Sequence, residues 1–250
     1  MSEKIQVAIK ELKRVKPLVL NLTNYVTMDF MANALLAIGA APIMSVCDEE
    51  LEELIQICQC LHINLGTLDK DFISRCDKAI AYAKEYKKPI VLDPVGAGAS
   101  LIRTKTAQKL IPSCDIIKGN ASEILSLFQD SGQTRGVESV HSTLQAKEQA
   151  KKIACEWKCT VVVSGAVDFV TDGYRESEIN FGSPFMAAVT GMGCTLSAII
   201  AAFRGVFPDS FDSAQLATTY FGLCGQEAEK KASGPGTFRT EFIDRLSNEN

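Results

Sequence analysis

Two glycines one residue apart, Gly191 and Gly193, stand directly ahead of Cys194 and an apolar run, Leu196 to Phe203, interrupted only by Ser197. Glycine permits backbone conformations closed to residues with a side chain and leaves neighbouring amides uncovered. The run LSAIIAAF suits a buried helix. The unpaired N–H groups of its first turn would then point back into the glycine turn and bind an anion. Cys194 falls in that first turn, where the helix dipole favours a thiolate. A polarisable nucleophile or base beside an anion hole suits phosphoryl and acyl transfer. Val189 to Ala198 also suit a plain glycine turn followed by a core cysteine, so the choice rests on what the rest of the chain brings alongside.

Six β-rich runs alternate with helical patterns upstream of that stretch: 18–23, 42–46, 62–68, 89–93, 114–120 and 160–165. Helices are expected at 3–14, 28–39 with Gly39 closing it, 48–60, 71–87, 104–110, from Ala121 onward, and 144–157. The polar segment 129–142 reads as an exposed loop. Asp172-Gly173 between alternating residues signals a hairpin. A long helix is expected over 213–231, a turn over 233–237 and a last helix over 238–246. This rhythm predicts an α/β fold, one domain over residues 1–250 with a mostly parallel sheet covered on both faces. In such sheets ligands bind outside the carboxyl ends of the strands. The polar and glycine residues collect there: Asn64 to Thr67, Asp93 to Gly98, Lys118 to Asn120, Ser164-Gly165 and the glycine turn.

Composition removes several classes. The 250 residues carry 26 basic and 30 acidic side chains, a net charge of −4, with no basic run or stripe, against nucleic acid or an anionic membrane as partner. Apolar runs fall short of a membrane span. Nine cysteines in a chain of this length, behind the charged opening MSEKIQ, predict reduced thiols and a cytoplasmic location. Without CxxC, and with only His62 and His141, a structural zinc site is not expected. The chain has no GxxxxGK[ST], so a P-loop reading drops out, and no GxGxxG, which weakens a dinucleotide reading; HExxH and GxSxG are absent too.

The ordered stretches NLTNYVTMDFMANALLAIGAAPIMS, HINLGTL, VLDPVGAGAS, NASEI and VTGMGCTLSA closely resemble the hydroxyethylthiazole kinases of thiamine biosynthesis, over about Leu18 to Phe207. The resemblance implies a ribokinase-like fold and ATP- and magnesium-dependent phosphorylation of a small thiazole alcohol. It also implies a homotrimer with sites between subunits. By resemblance, Met44, Gly191, Asn24 and Gly66 contact the alcohol. Lys118, Ser164 and Asn120 take ATP, and Asp93 and Glu123 organise magnesium, in part through waters. Lys118 and Ser164 stand where the family commonly has Arg and Thr. Lys keeps the charge and loses the bidentate fork. Met192 replaces the threonine usual in TGTGC. Cys194, with the Gly191–Gly193 anion hole, occupies the catalytic position, where other ribokinase relatives carry an aspartate base. Phosphorylation of another alcohol, such as hydroxymethylpyrimidine or pyridoxal, a lyase of the same fold repairing hydrated nicotinamide cofactors, which the motif set fits poorly, and a non-catalytic thiazole sensor or nucleotide-binding protein are the alternatives.

Overall fold

The computed structural model describes residues 3–128 and 140–248. Its centre is one eight-stranded sheet in the order β2-β1-β3-β4-β5-β6-β7-β8. The strands are β1 (Leu18–Leu22), β2 (Ala41–Met44), β3 (Cys60–Asn64), β4 (Ile90–Asp93), β5 (Ile116–Asn120), β6 (Thr160–Ser164), β7 (Asp168–Thr171) and β8 (Glu176–Ile179). The first six run parallel, and β7 and β8 pair antiparallel, closing the sheet with the expected hairpin.

The parallel strands are mostly apolar on both faces because helices cover both, with the buried Asn21 and His62, hydrogen-bonded to each other at 2.9 Å, among the exceptions. Val19, Cys60, Val91, Ile116 and Val162 face α1 (Glu3–Val15), α2 (Met28–Ala37), α8 (Met192–Arg204), α9 (Ser210–Glu229) and α10 (Pro235–Ser247). Leu20, Leu61, Ile63, Leu92 and Ile117 face α3 (Leu51–Ile57), α4 (Lys70–Glu85), α5 (Leu101–Leu110), α6 (Ala121–Ser126) and α7 (Val140–Trp157). The connection from β1 to β2 runs over the first face and the next crossovers over the second. Strand order therefore reverses between β1 and β3, the switch point at which open sheets of this kind form their ligand crevice, outside the carboxyl ends of the strands. α8 is buried almost all round, from Thr195 to Phe203.

Several expected boundaries move. The helix expected over 48–60 is only Leu51–Ile57, because Cys60 already pairs with Val19 in β3. The turn expected over 233–237 yields at Pro235, the preset first residue of α10. The short helix expected from Thr104 begins at Leu101, and the long one expected from Ser213 begins at Ser210, capped by the Asp209 side chain. Most of the loop expected over 129–142 lies outside the described residues, and 140–142 belong to α7. Gly39, at φ +89, closes α2 as expected.

Candidate active site

At the crevice the strand ends deliver a connected set of buried polar groups. Asn64, last in β3, is fully buried; its Oδ1 accepts from Asn24 Nδ2 at 2.9 Å and from the Gly66 amide at 3.0 Å. Its Nδ2 donates to Asp93 Oδ2 at 3.0 Å across the β3–β4 register. Asn24 in turn holds the N–H and hydroxyl of Thr27 through its Oδ1, and its Nδ2 approaches Cys194 Sγ at 3.5 Å. A side chain at Gly66 would meet Asn24 Cβ at 2.7 Å, so the loop after β3 needs a glycine there.

Asp93 ends β4 and is 1% exposed. Its Oδ2 gathers Asn64, the Ser197 hydroxyl at 2.6 Å and, at 3.8 Å, the ammonium of Lys118. Its Oδ1 is buried with no hydrogen-bond partner among the described residues. Burial pushes the Asp93 carboxyl up to about 6, against the pull of Lys118 and with the neighbouring Glu123 adding to the rise. Burial works against the Lys118 cation too, but Asp93 and Glu123 outweigh it and hold the ammonium above its ordinary pKa.

Lys118 and Asn120 lie in β5, and α6 follows at once. Asn120 Oδ1 caps α6 by accepting the Glu123 N–H at 2.9 Å, while Glu123 Oε2 accepts the Asn120 N–H at 2.8 Å. Glu123 Oε1 accepts the Gly96 amide at 2.9 Å, joining the loop after β4 to the end of β5. Ser164 sits opposite Asn120 in register, with a long 3.4 Å bond to the Gly119 carbonyl. Met44 ends β2 beside Asn21 and packs against the core face that carries α8.

The glycine turn divides its labour otherwise than its sequence suggests. Gly191 takes the left-handed conformation, φ +94, as the residue preceding α8, and a Cβ there would meet Thr27 Cγ2 at 2.9 Å. Gly193 is no turn residue: it lies inside the first turn of α8, and the space a Cβ would take is filled by Lys118 Nζ, 3.0 Å away. A side chain there would press the buried ammonium back by a few tenths of an ångström. The expected Cys194 thiolate is also corrected. Burial and then the Asp93 carboxylate push the thiol up, and Lys118 and the Asn64 amide do not offset them. A helix dipole near solvent favours a thiolate; here desolvation and a neighbouring anion win.

The site thus joins Asn24, Gly66 and Cys194 to Asp93 and, through Lys118, to Gly193. Glu123 and Asn120 tie in through backbone. Met44 and Ser164 stand at the two flanks. Asn64 is picked out in the sequence by its place at the end of an apolar strand, without a role; the residue-type signals missed Ser197 and Thr27 as members, and Ser197 read as a break in an apolar run.

The candidate site thus lies at the strand reversal of a covered, mostly parallel sheet, where the α8 N-terminus faces the buried Lys118–Asp93 pair. A ribokinase-like superfamily protein of Enterococcus faecalis shares the fold (TM-score 0.65, 14% identity, covering 100% of this chain and 95% of that one). The hydroxyethylthiazole kinase family model matches residues 9–249, and the chain belongs to that family. It is 48% identical to the hydroxyethylthiazole kinase of Chlamydia abortus, over 98% of this chain and 95% of that one. The hydroxyethylthiazole kinase structure from Pyrococcus horikoshii superposes with a TM-score of 0.90 at 38% identity, covering 98% and 93% of the two chains. The chain is a kinase, a transferase of thiamine biosynthesis.

Proposed function

We propose that the crevice phosphorylates the hydroxyl of 4-methyl-5-(2-hydroxyethyl)thiazole with ATP, within one kinase domain spanning residues 1–250. The observation that carries the reading is the buried Asp93–Lys118 pair beneath the first turn of α8, with Cys194 one residue beyond Gly193. The alcohol would lie among Asn24, Gly66, Gly191 and Met44, its hydroxyl toward Cys194. The transferring phosphoryl group would meet the free amides of the α8 N-terminus and the Lys118 ammonium, with Asn120 and Ser164 on the nucleotide side.

The residues fit magnesium held mainly by phosphates and water. Asp93 offers one hard oxygen without a partner, and both Glu123 oxygens already accept a backbone N–H. Among the described residues no cluster of three His, Cys, Asp or Glu side chains could cage an ion. Asp93 and Glu123 would hold the hydrated ion, which supplies neutralisation of phosphate charge.

Cys194 orients the hydroxyl and accepts its proton late. Phosphoryl transfer is loose, so the attacking oxygen needs little deprotonation before the P–O bond breaks; because burial and Asp93 raise the Cys194 thiol, it takes the hydroxyl's proton only as the minor thiolate form, its own proton having gone to solvent first. Cys194→Ala is expected to lower kcat about 100-fold, the ordinary worth of a proton acceptor, and Cys194→Asp to retain most of it. Unchanged turnover in both variants, followed as thiazole phosphate, removes the cysteine from catalysis.

Asn64→Asp is expected to place a second carboxylate against Asp93 Oδ2, where the amide now donates at 3.0 Å. Like charges raise each other's pKa, so the acid limb of kcat/KM should move up by about one unit or more. A pH–rate profile with an unmoved limb would remove Asn64 from this role.

The nine free cysteines support a reducing, cytoplasmic setting, and among the described residues no helix is long and apolar enough to cross a membrane. A homotrimer is part of the proposal: Tyr25, Val26 and Val46 stand exposed on the loops that follow β1 and β2, apolar surface suited to a second copy. Sedimentation gives the stoichiometry directly.

The deciding assay mixes protein, MgATP and the thiazole alcohol, with pyridoxal and hydroxymethylpyrimidine in parallel. Thiazole phosphate formed fastest, and lost with EDTA, is the expected result. ADP released only with another alcohol reassigns the substrate. A thiazole-raised melting temperature without turnover turns the chain into a sensor.

A further inference from the structure

Arg103, the third residue of α5, spends its guanidinium on backbone. Nη1 donates to the Leu65 carbonyl at 2.5 Å and to the Val95 carbonyl at 2.9 Å, and Nη2 donates to the Gly66 carbonyl at 2.9 Å. These carbonyls belong to two loops, one following β3 and one following β4. Each loop adjoins a different half of the active site. Gly66 packs against Asn24 and donates its amide to Asn64, on the alcohol side. Val95 lies two residues past Asp93, and the next amide, Gly96, donates to Glu123, on the phosphoryl side. Gly96 is at φ +78, and a Cβ there would meet Arg103 Cδ at 2.9 Å, so the loop is shaped around this side chain.

We propose that Arg103 is a positioning residue that fixes the loop after β3 against the loop after β4, and so sets the alcohol's distance from the phosphoryl group. A planar fork of donors can satisfy carbonyls from two loops at once, and a lysine ammonium on a flexible stem cannot reproduce that geometry. With Glu123, which bridges the Gly96 and Asn120 amides, Arg103 completes a line of side-chain ties across the ends of β3, β4 and β5. Without it the two substrates would be held by loops free to drift apart, and displacement of about 1 Å is enough to cost about 100-fold in rate.

The inference rests on the thiazole-kinase reading of this site, and the test separates the two. Wild type, Arg103→Ala and Arg103→Lys are assayed side by side, with melting temperatures and backbone hydrogen exchange. The expected result is a fall of about 100-fold in kcat/KM for the alcohol in Arg103→Ala, with partial recovery in Arg103→Lys. Free guanidinium, added below the onset of unfolding, should restore activity to Arg103→Ala while leaving wild type unimproved. Faster exchange at the Gly66 and Gly96 amides of Arg103→Ala should accompany the loss. Wild-type kcat/KM in Arg103→Ala overturns the proposal, as does a loss that follows only the unfolded fraction and is not rescued. A wild type that fails on the thiazole defeats the substrate reading instead; the exchange comparison then still decides whether Arg103 fixes the loops.

Discussion

Asp93→Asn is expected to lower kcat by about 1,000-fold, the scale on which a preorganised electrostatic group acts on a transition state. The carboxylate is the buried hub of the site, tied to Asn64, Ser197 and Lys118 through one oxygen and leaving the other without a partner. Asparagine fills the same space but brings no charge to a phosphate-bound cation or to Lys118. In the proposed mechanism the ionised form is the working one, and burial raises its pKa to about 6. In wild type, kcat/KM should therefore fall about tenfold per unit as pH drops below about 6, because kcat/KM reports the free enzyme. Asp168, whose carboxyl accepts the Gly165 amide at 2.9 Å, is pushed by burial to about 6 as well. Asp168→Asn is the control: it should keep the acid limb if Asp93 sets it. The same burial makes ionised Asp93 a cost to the ligand-free fold. Between its ordinary value of 3.8 and about 6 the native state binds more proton than the unfolded state, so this group's contribution to stability declines as pH rises through that window.

The two glycines of the turn should fail in different ways. Gly191→Ala must hold a left-handed residue at φ +94 and crowd Thr27 at 2.9 Å. The conformational part alone costs about 1–2 kcal/mol, or roughly 2–8 °C in melting temperature for a chain of this size. Gly193→Ala carries no such strain, since the position is helical, where alanine is favoured by about 1 kcal/mol. Its methyl would instead press on the Lys118 ammonium, 3.0 Å away at the end of a flexible side chain, and shift it by a few tenths of an ångström. Gly193→Ala is thus expected to keep or raise the melting temperature while losing about 100-fold in turnover, with a raised KM for ATP. Calorimetry and steady-state kinetics on both variants check the contrast. Equal melting losses would mean that Gly193 serves the backbone alone.

Much of this molecule is legible before folding. The alternation of apolar runs with helical patterns specifies a covered parallel sheet, because a strand buried on both faces must be apolar throughout, and Asp172-Gly173 announces the hairpin. The strand ends could be picked out as the candidate ligand side, since polar residues at the ends of buried strands have no core role to fill. Tertiary structure alone decided what those residues do to one another. Asn64, Asp93, Lys118 and Ser197 are up to 133 residues apart, from 64 to 197, and their contacts depend on strand register and on α8 lying across the sheet. Gly193 looked like half of a turn, yet it lies in the first turn of α8 with an ammonium delivered from β5 beside it, which no local pattern contains. Cys194 looked like a thiolate because a helix start is a local feature. The burial and the Asp93 charge that reverse that expectation exist only once the chain has folded, since desolvation and Coulomb energy depend on distances in space rather than along the chain.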